Sequence, residues 1–168
     1  MRKLFIFVIS VLILTQCKIS YKFTGASIDY TKVKTMSVAL FPNEAPLVAD
    51  PGLSQAFTEG LKDYFMKQTR LDLKENNGDL QFEGEITDYT IKPQSIQADM
   101  TAAQTRVTMK VNVRFMNITD PEQDFEKSFS AYVDFDSSEN FESIKETIRE
   151  ELLDQIFEDI FNESVANW

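Results

Sequence analysis

Apolar and polar residues alternate along three long stretches of this chain and recur at helical spacing along two others. Over residues 80–91, Leu80, Phe82, Gly84 and Ile86 fall on one side and Gln81, Glu83, Glu85 and Thr87 on the other, the period of a strand with one buried face. Beyond Asp88 the apolar residues Tyr89 and Ile91 lie on the formerly polar side, which predicts a bulge or a local apolar patch. Residues 104–118 make the longest predicted strand, with Val107, Met109, Val111, Val113 and Phe115 inward and Arg106, Thr108, Lys110, Asn112 and Arg114 outward. Residues 125–135 alternate again, setting Phe125, Phe129, Ala131, Val133 and Phe135 against Glu126, Ser128, Ser130 and Asp134. Between the last two, Thr119-Asp120-Pro121-Glu122 places proline at its favoured turn position.

Helical spacing governs residues 53–68, where Leu53, Ala56, Phe57, Gly60, Leu61, Tyr64 and Phe65 form one stripe. Asp50 or Ser54 is placed to cap its start, with Pro51 near the first turn. A second and longer amphipathic helix is predicted over residues 141–168, with Ile144, Ile148, Leu152, Ile156, Phe157, Ile160 and Phe161 on its apolar side. Residues 33–41 (VKTMSVALF) read as a first strand ending at Pro42, followed by a proline-rich loop to residue 52. After Leu71-Asp72-Leu73, the run Asn76-Asn77-Gly78-Asp79 has the composition of a hairpin turn. The predicted order is β-α-β-β-β-α. This is an α+β fold, with two helices packed on one face of a mostly antiparallel four-stranded sheet and the other face left to water or a partner.

The amino terminus follows a different pattern. Arg2 and Lys3 precede an apolar run, LFIFVISVLIL, and Leu14-Thr15-Gln16-Cys17 closes it with the single cysteine of the chain. The run is too short for a membrane-spanning helix, which needs about 20 residues, and has the layout of a lipoprotein signal peptide. The pattern resembles the lipobox, with Gln16 where a small residue is usual. Residues 1–16 are therefore expected to be removed, Cys17 to be the lipid attachment point, and residues 17–30 to be a tether leading to one domain over 31–168. Several acyl chains on one residue suffice for stable anchoring, since each buried methylene contributes about 0.8 kcal/mol. The expected location is outside the cytoplasm of a bacterium.

The formal charge is −10 and becomes more negative once Arg2 and Lys3 leave with the signal. General nucleic-acid binding is excluded on this ground, because neutralising phosphates takes a basic surface. Nonspecific adhesion to anionic lipid is disfavoured likewise, leaving the acyl anchor to hold the membrane. The chain has no histidine and one cysteine, which removes Ser-His-Asp and Cys-His catalysis and the usual zinc sites. Neither an enzyme nor a cofactor or metal is expected. With one cysteine no intrachain disulfide forms, and 14 phenylalanines point to an aromatic core.

One constellation carries chemistry. Arg106, Lys110 and Arg114 share the outward side of the longest strand and form a row reaching about 27 Å, suited to phosphorylated sugar. The plainer reading pairs them with Glu83, Glu85, Glu126 and Asp134 on the neighbouring strands. Outward Tyr89, Ile91, Met116, Ile118 and Tyr132 mark a binding surface only where they cluster.

Several stretches together resemble a known family: Phe23-Thr24-Gly25-Ala26-Ser27-Ile28, Phe41-Pro42-Asn43 with Ala45-Pro46-Leu47-Val48, residues 53–73, Gly78 to Gly84, 124–138, and Val165-Ala166-Asn167-Trp168. On these the chain is similar to the LptE-like family, the lipopolysaccharide-assembly lipoproteins of Gram-negative outer membranes, in a divergent branch. The resemblance implies two helices against a four-stranded sheet. It also implies a non-enzymatic, lipid-anchored protein on the periplasmic side of the outer membrane, which partners the lipopolysaccharide translocon barrel, aids its assembly and contacts lipopolysaccharide. No family residue carries over onto Arg106, Lys110 or Arg114, which stand on pattern alone. The strong acidity and Gln16 depart from the family. Small outer-membrane lipoproteins of the same element order also activate cell-wall synthases or scaffold secretion pores, and the partner that co-purifies separates the two roles.

Overall fold

The computed structural model describes residues 29–46, 52–94 and 103–166. Its elements are β1 (Thr35–Val38), α1 (Leu53–Gln68), β2 (Asp72–Leu73), β3 (Leu80–Pro93), β4 (Gln104–Asn117), a 3-10 turn (Pro121–Gln123), β5 (Phe125–Asp136) and α2 (Phe141–Ser164). The α+β class holds, with five strands in place of four, in the order β2-β1-β3-β4-β5. β1 runs parallel to β2 and β3, while β3, β4 and β5 are antiparallel.

The extra strand corrects the expected hairpin. Asn76 to Asp79 does not fold β3 back on residues 71–73. Instead β2 ends level with Met36 on one side of β1 and β3 starts level with Met36 on the other, so the chain crosses β1 in between. Ser37 lies on the opposite side of β1 from inward Met36 and Val38, and its Oγ accepts from the Gly78 N–H at 3.1 Å. A side chain at 78 would sit 2.4 Å from the Met36 carbonyl carbon, so the crossing requires glycine. Asn77 takes the positive φ of 55° that asparagine tolerates. Asp79 then clasps the start of β1, its Oδ2 accepting from the Lys34 and Thr35 amides at 2.8 and 2.9 Å. These bonds hold its pKa below the ordinary carboxylate value.

The first strand is shorter than its apolar run. Past Val38 the edge continues irregularly, with the Ala39 amide donating to Phe82 and the Glu44 amide to Ile86. Ser54 does not cap α1: its hydroxyl donates to the Phe41 carbonyl at 2.6 Å, and Gly52 is the N-cap. Asp50 lies outside the described residues. α2 stops at Ser164 rather than running to the end of the chain, and Asn140 caps its start by accepting from the Glu142 amide at 3.0 Å.

The expected bulge falls between Ile86 and Asp88. Its extra residue returns Tyr89 to the inner face, opposite Met109, where it is buried. Tyr89 therefore leaves the set of outward apolar residues, and Ile91, although exposed, lies on the inner side opposite Val107.

The core fills the space between the helices and this face. From β4 it takes Val107, Met109, Val111 and Val113, all fully buried, and from the helices Leu53, Phe57, Leu61, Phe65, Leu152, Ile156 and Ile160. Phenylalanines connect its parts, with Phe65 against Phe82 at 4.7 Å between ring centroids, Phe82 against Phe115 at 5.1 Å, and Phe57 against Phe157 at 5.2 Å. Tilted and edge-on contacts of this kind add about 0.5 to 1.5 kcal/mol per pair beyond burial. The opposite face of β3, β4 and β5 carries the polar half of each alternation.

Candidate functional site: the outer face of the sheet

Register decides what the basic row meets. Glu83, Arg114 and Glu126 lie side by side on β3, β4 and β5; the next cation along, Lys110, sits between Asp88 and Ser130, and Arg106 between Lys92 and Asp134. Glu85 faces Asn112 and so pairs with no member of the row. The bulge sets the neighbours of the other two cations, because its extra residue moves Asp88 into line with Lys110 and brings a second cation, Lys92, beside Arg106.

The three cations share a face but not a condition. Arg106 donates from Nε and Nη2 to the two carboxylate oxygens of Asp134, each at 2.7 Å, and its guanidinium carbon lies 3.8 Å above the Tyr132 ring centroid. The bonds from Asp134 raise the pKa of Arg106, and the same bonds lower that of Asp134. Lys110 and Arg114 are exposed, and among the described residues no carboxylate lies within 4.0 Å of either. The pairing expected of the whole row is thus realised at Arg106 alone. Beside Arg114 a shallow concavity of about 250 Å³ is lined by Glu83, Gly84, Glu85, Asn112 and Glu126.

The remaining outward apolar residues do not form one patch. Met116 lies beside Gln81 and exposed Ile118 beyond it, whereas Tyr132 lies beside Thr108, eight residues back along β4, which is about 27 Å. Alternation had placed Tyr132 outward, but its role under Arg106 depends on register across β4 and β5. Cys17 lies outside the described residues. Among the described residues no group of three or more Asp, Glu, His or Cys is arranged to hold a metal ion, and no helix is long and apolar enough to cross a membrane.

This α+β fold is shared with several solved structures. A minor lipoprotein from Acinetobacter baumannii matches at 11% identity and a TM-score of 0.50, over 78% of this chain and 91% of that one. A hypothetical protein from Chlamydia trachomatis matches at 10% and 0.52, over 79% and 98%. A protein from Xanthomonas campestris matches at 13% and 0.50, over 77% and 82%. Identities this low speak to the fold alone. The lineage comes from sequence: the chain belongs to the lipopolysaccharide-assembly family LptE, whose model matches residues 33–164. No curated protein sequence matches it.

Proposed function

We propose that this protein is an outer-membrane lipoprotein, anchored through acylated Cys17 after removal of residues 1–16, that associates from the periplasmic side with the lipopolysaccharide translocon barrel. It aids assembly of that barrel and the passage of lipopolysaccharide to the outer leaflet, and it does so as a binding partner rather than as an enzyme. The family match over residues 33–164 carries this reading, because it spans every described strand and helix.

On the outer sheet face, Lys110 and Arg114 are the better candidates for glycolipid phosphate. Arg106 would first have to give up Asp134, exchanging one charge-assisted pair for another. The test is detergent extraction of the intact, affinity-tagged protein with identification of what accompanies it. An outer-membrane barrel is expected. A cell-wall synthase or a secretion-pore component in its place would overturn the reading.

A further inference from the structure

We propose that the free edge of β5 is a strand-addition site for an extended, cation-bearing segment of a partner protein. The two edges of the sheet are unequal. On one side β2 is two residues long, and on the other β5 presents twelve. Among the described residues β5 pairs with β4 alone.

The direction of its backbone groups follows from the ladder. The Ser137 amide donates to the Ala103 carbonyl at 3.0 Å, which continues the β4–β5 register in which odd positions face odd positions. Hydrogen-bonded and non-bonded pairs alternate in an antiparallel ladder. Odd residues of β5 therefore bond to β4, and Glu126, Ser128, Ser130, Tyr132 and Asp134 turn their N–H and C=O groups to the open edge. No turn or side chain among the described residues takes up these five amides.

Edges of this length are ordinarily guarded by proline, a bulge or an inward charge. β5 contains no proline, and its register with β4 is unbroken. Its one inward charge, Lys127, is neutralised by Glu163 of α2 at 2.7 Å. Beside the strand a groove of about 430 Å³ is lined by Ser128 and Ser130 of β5 and by Asp159, Asn162 and Glu163 of α2. An added strand thus has backbone partners along its length and room for the side chains it turns toward the helix, the requirements of strand addition.

Charge selects the occupant. The outward side chains of β5 are Glu126, Ser128, Ser130, Tyr132, Asp134 and Asp136, three acids and no base, of which Asp134 is paired with Arg106 while Glu126 and Asp136 are in no ion pair among the described residues. A second copy aligned antiparallel over the whole strand would set Glu126 against Asp134 or Asp136, and like charges directly opposite are destabilising. A strand with lysine or arginine at alternate positions meets the acids instead.

The probe is a twelve-residue peptide in which lysine alternates with threonine, with a glutamate counterpart and a version carrying proline at alternate threonines as controls. The intact protein is kept in detergent, and amide exchange is followed residue by residue. The lysine peptide is expected to slow exchange at Ser128, Ser130 and Tyr132, with neither control doing so. Ser130→Pro removes one outward N–H without touching the β4 ladder and should weaken binding about tenfold. Should that variant unfold, the pair Glu126→Lys with Ser130→Lys leaves the backbone intact and should transfer preference to the glutamate peptide. Protection confined to other surfaces, equal binding of both charged peptides, or β5 amides already protected by self-association would each overturn the proposal.

Discussion

Arg106 and Asp134 meet across β4 and β5 as a two-point pair, both bonds 2.7 Å long, with Tyr132 beneath the guanidinium. Of the three cations on this strand, Arg106 is the one whose removal leaves a carboxylate without its partner. Arg106→Gln should therefore lower the melting temperature more than Lys110→Gln or Arg114→Gln. Salt should shrink the difference, since the pair is partly exposed and screened. Thermal melts of the three variants at low and high ionic strength check this.

Asp79 gives the fold an acid limb. The amides of Lys34 and Thr35, at the start of β1, donate to its carboxylate, so its pKa is lower in the folded protein than in the unfolded chain. A depressed carboxyl contributes stability that is complete above the unfolded value, about pH 3.9, and is lost as pH falls through the folded one. Asp79→Ala should flatten this part of the stability profile below about pH 4 and lower the plateau above it. Asp79→Asn, which keeps an acceptor oxygen, should lose less at neutral pH. Denaturant unfolding across that range separates the two, with the wild-type slope also containing Asp134 and Asp136, whose pKa values are lowered too.

Gly78 should tolerate no side chain. A methyl group there would lie 2.4 to 2.7 Å from the backbone of Met36 and Ser37, and main chain cannot turn aside as a flexible side chain can. Gly78→Ala is expected to cost about 3 kcal/mol and to loosen the crossing over β1. Amide exchange in β1 and β2 should rise ahead of exchange in β4.

The contrast between Gly78 and the long strands shows where this chain is legible. Alternation in β4 and β5 and the stripe of α1 are local patterns, and each returned its element with its buried side correctly assigned. The hairpin expected at Asn76 to Asp79 failed because a turn composition says that the chain bends, not which strand it meets next. The answer rests on contacts 41 to 45 residues apart, such as Gly78 with Ser37 and Asp79 with Lys34. Tyr89 was misplaced for a related reason: a bulge can be suspected from a phase change, but its position decides which later residues turn inward. At the basic row the residue types were visible, while the division between a paired Arg106 and exposed Lys110 and Arg114 needed register across three strands.

The contact of α1 with α2 turns on Gly60 and Phe157. The Phe157 ring is nearly buried, lies edge-on to Phe57 at 5.2 Å, and would stand 2.8 Å from a methyl group at residue 60. Phe157→Ala should cost about 3 to 5 kcal/mol by leaving a cavity, and Gly60→Ala about 1 to 3 kcal/mol by overfilling the site. Because one change removes what the other collides with, Gly60→Ala combined with Phe157→Leu should cost less than the two separately. A double-mutant cycle in denaturant measures this coupling.

The basic row separates stability from recognition in one experiment. If glycolipid phosphates are held on this face, the groups available for them are Lys110 and Arg114, which have no carboxylate within 4.0 Å among the described residues. Replacing both with Gln removes charge-assisted bonds of roughly 1.5 to 3 kcal/mol each. Lipopolysaccharide binding should then fall steeply, while the melting temperature stays near that of the wild type. Neither cation is bonded to Glu83, Asp88 or Glu126, although by register those acids lie beside them, so the fold gives up little. Arg106→Gln should do the reverse, lowering the melting temperature and sparing lipopolysaccharide. If the protein associates with the barrel as proposed, through shape and apolar contact, that association should survive all three changes. Measured together, melting temperature, lipopolysaccharide binding and barrel pull-down distinguish the two outcomes. A Lys110→Gln, Arg114→Gln protein that melts early and binds lipopolysaccharide as before would show the row to be a device of the sheet and not a site.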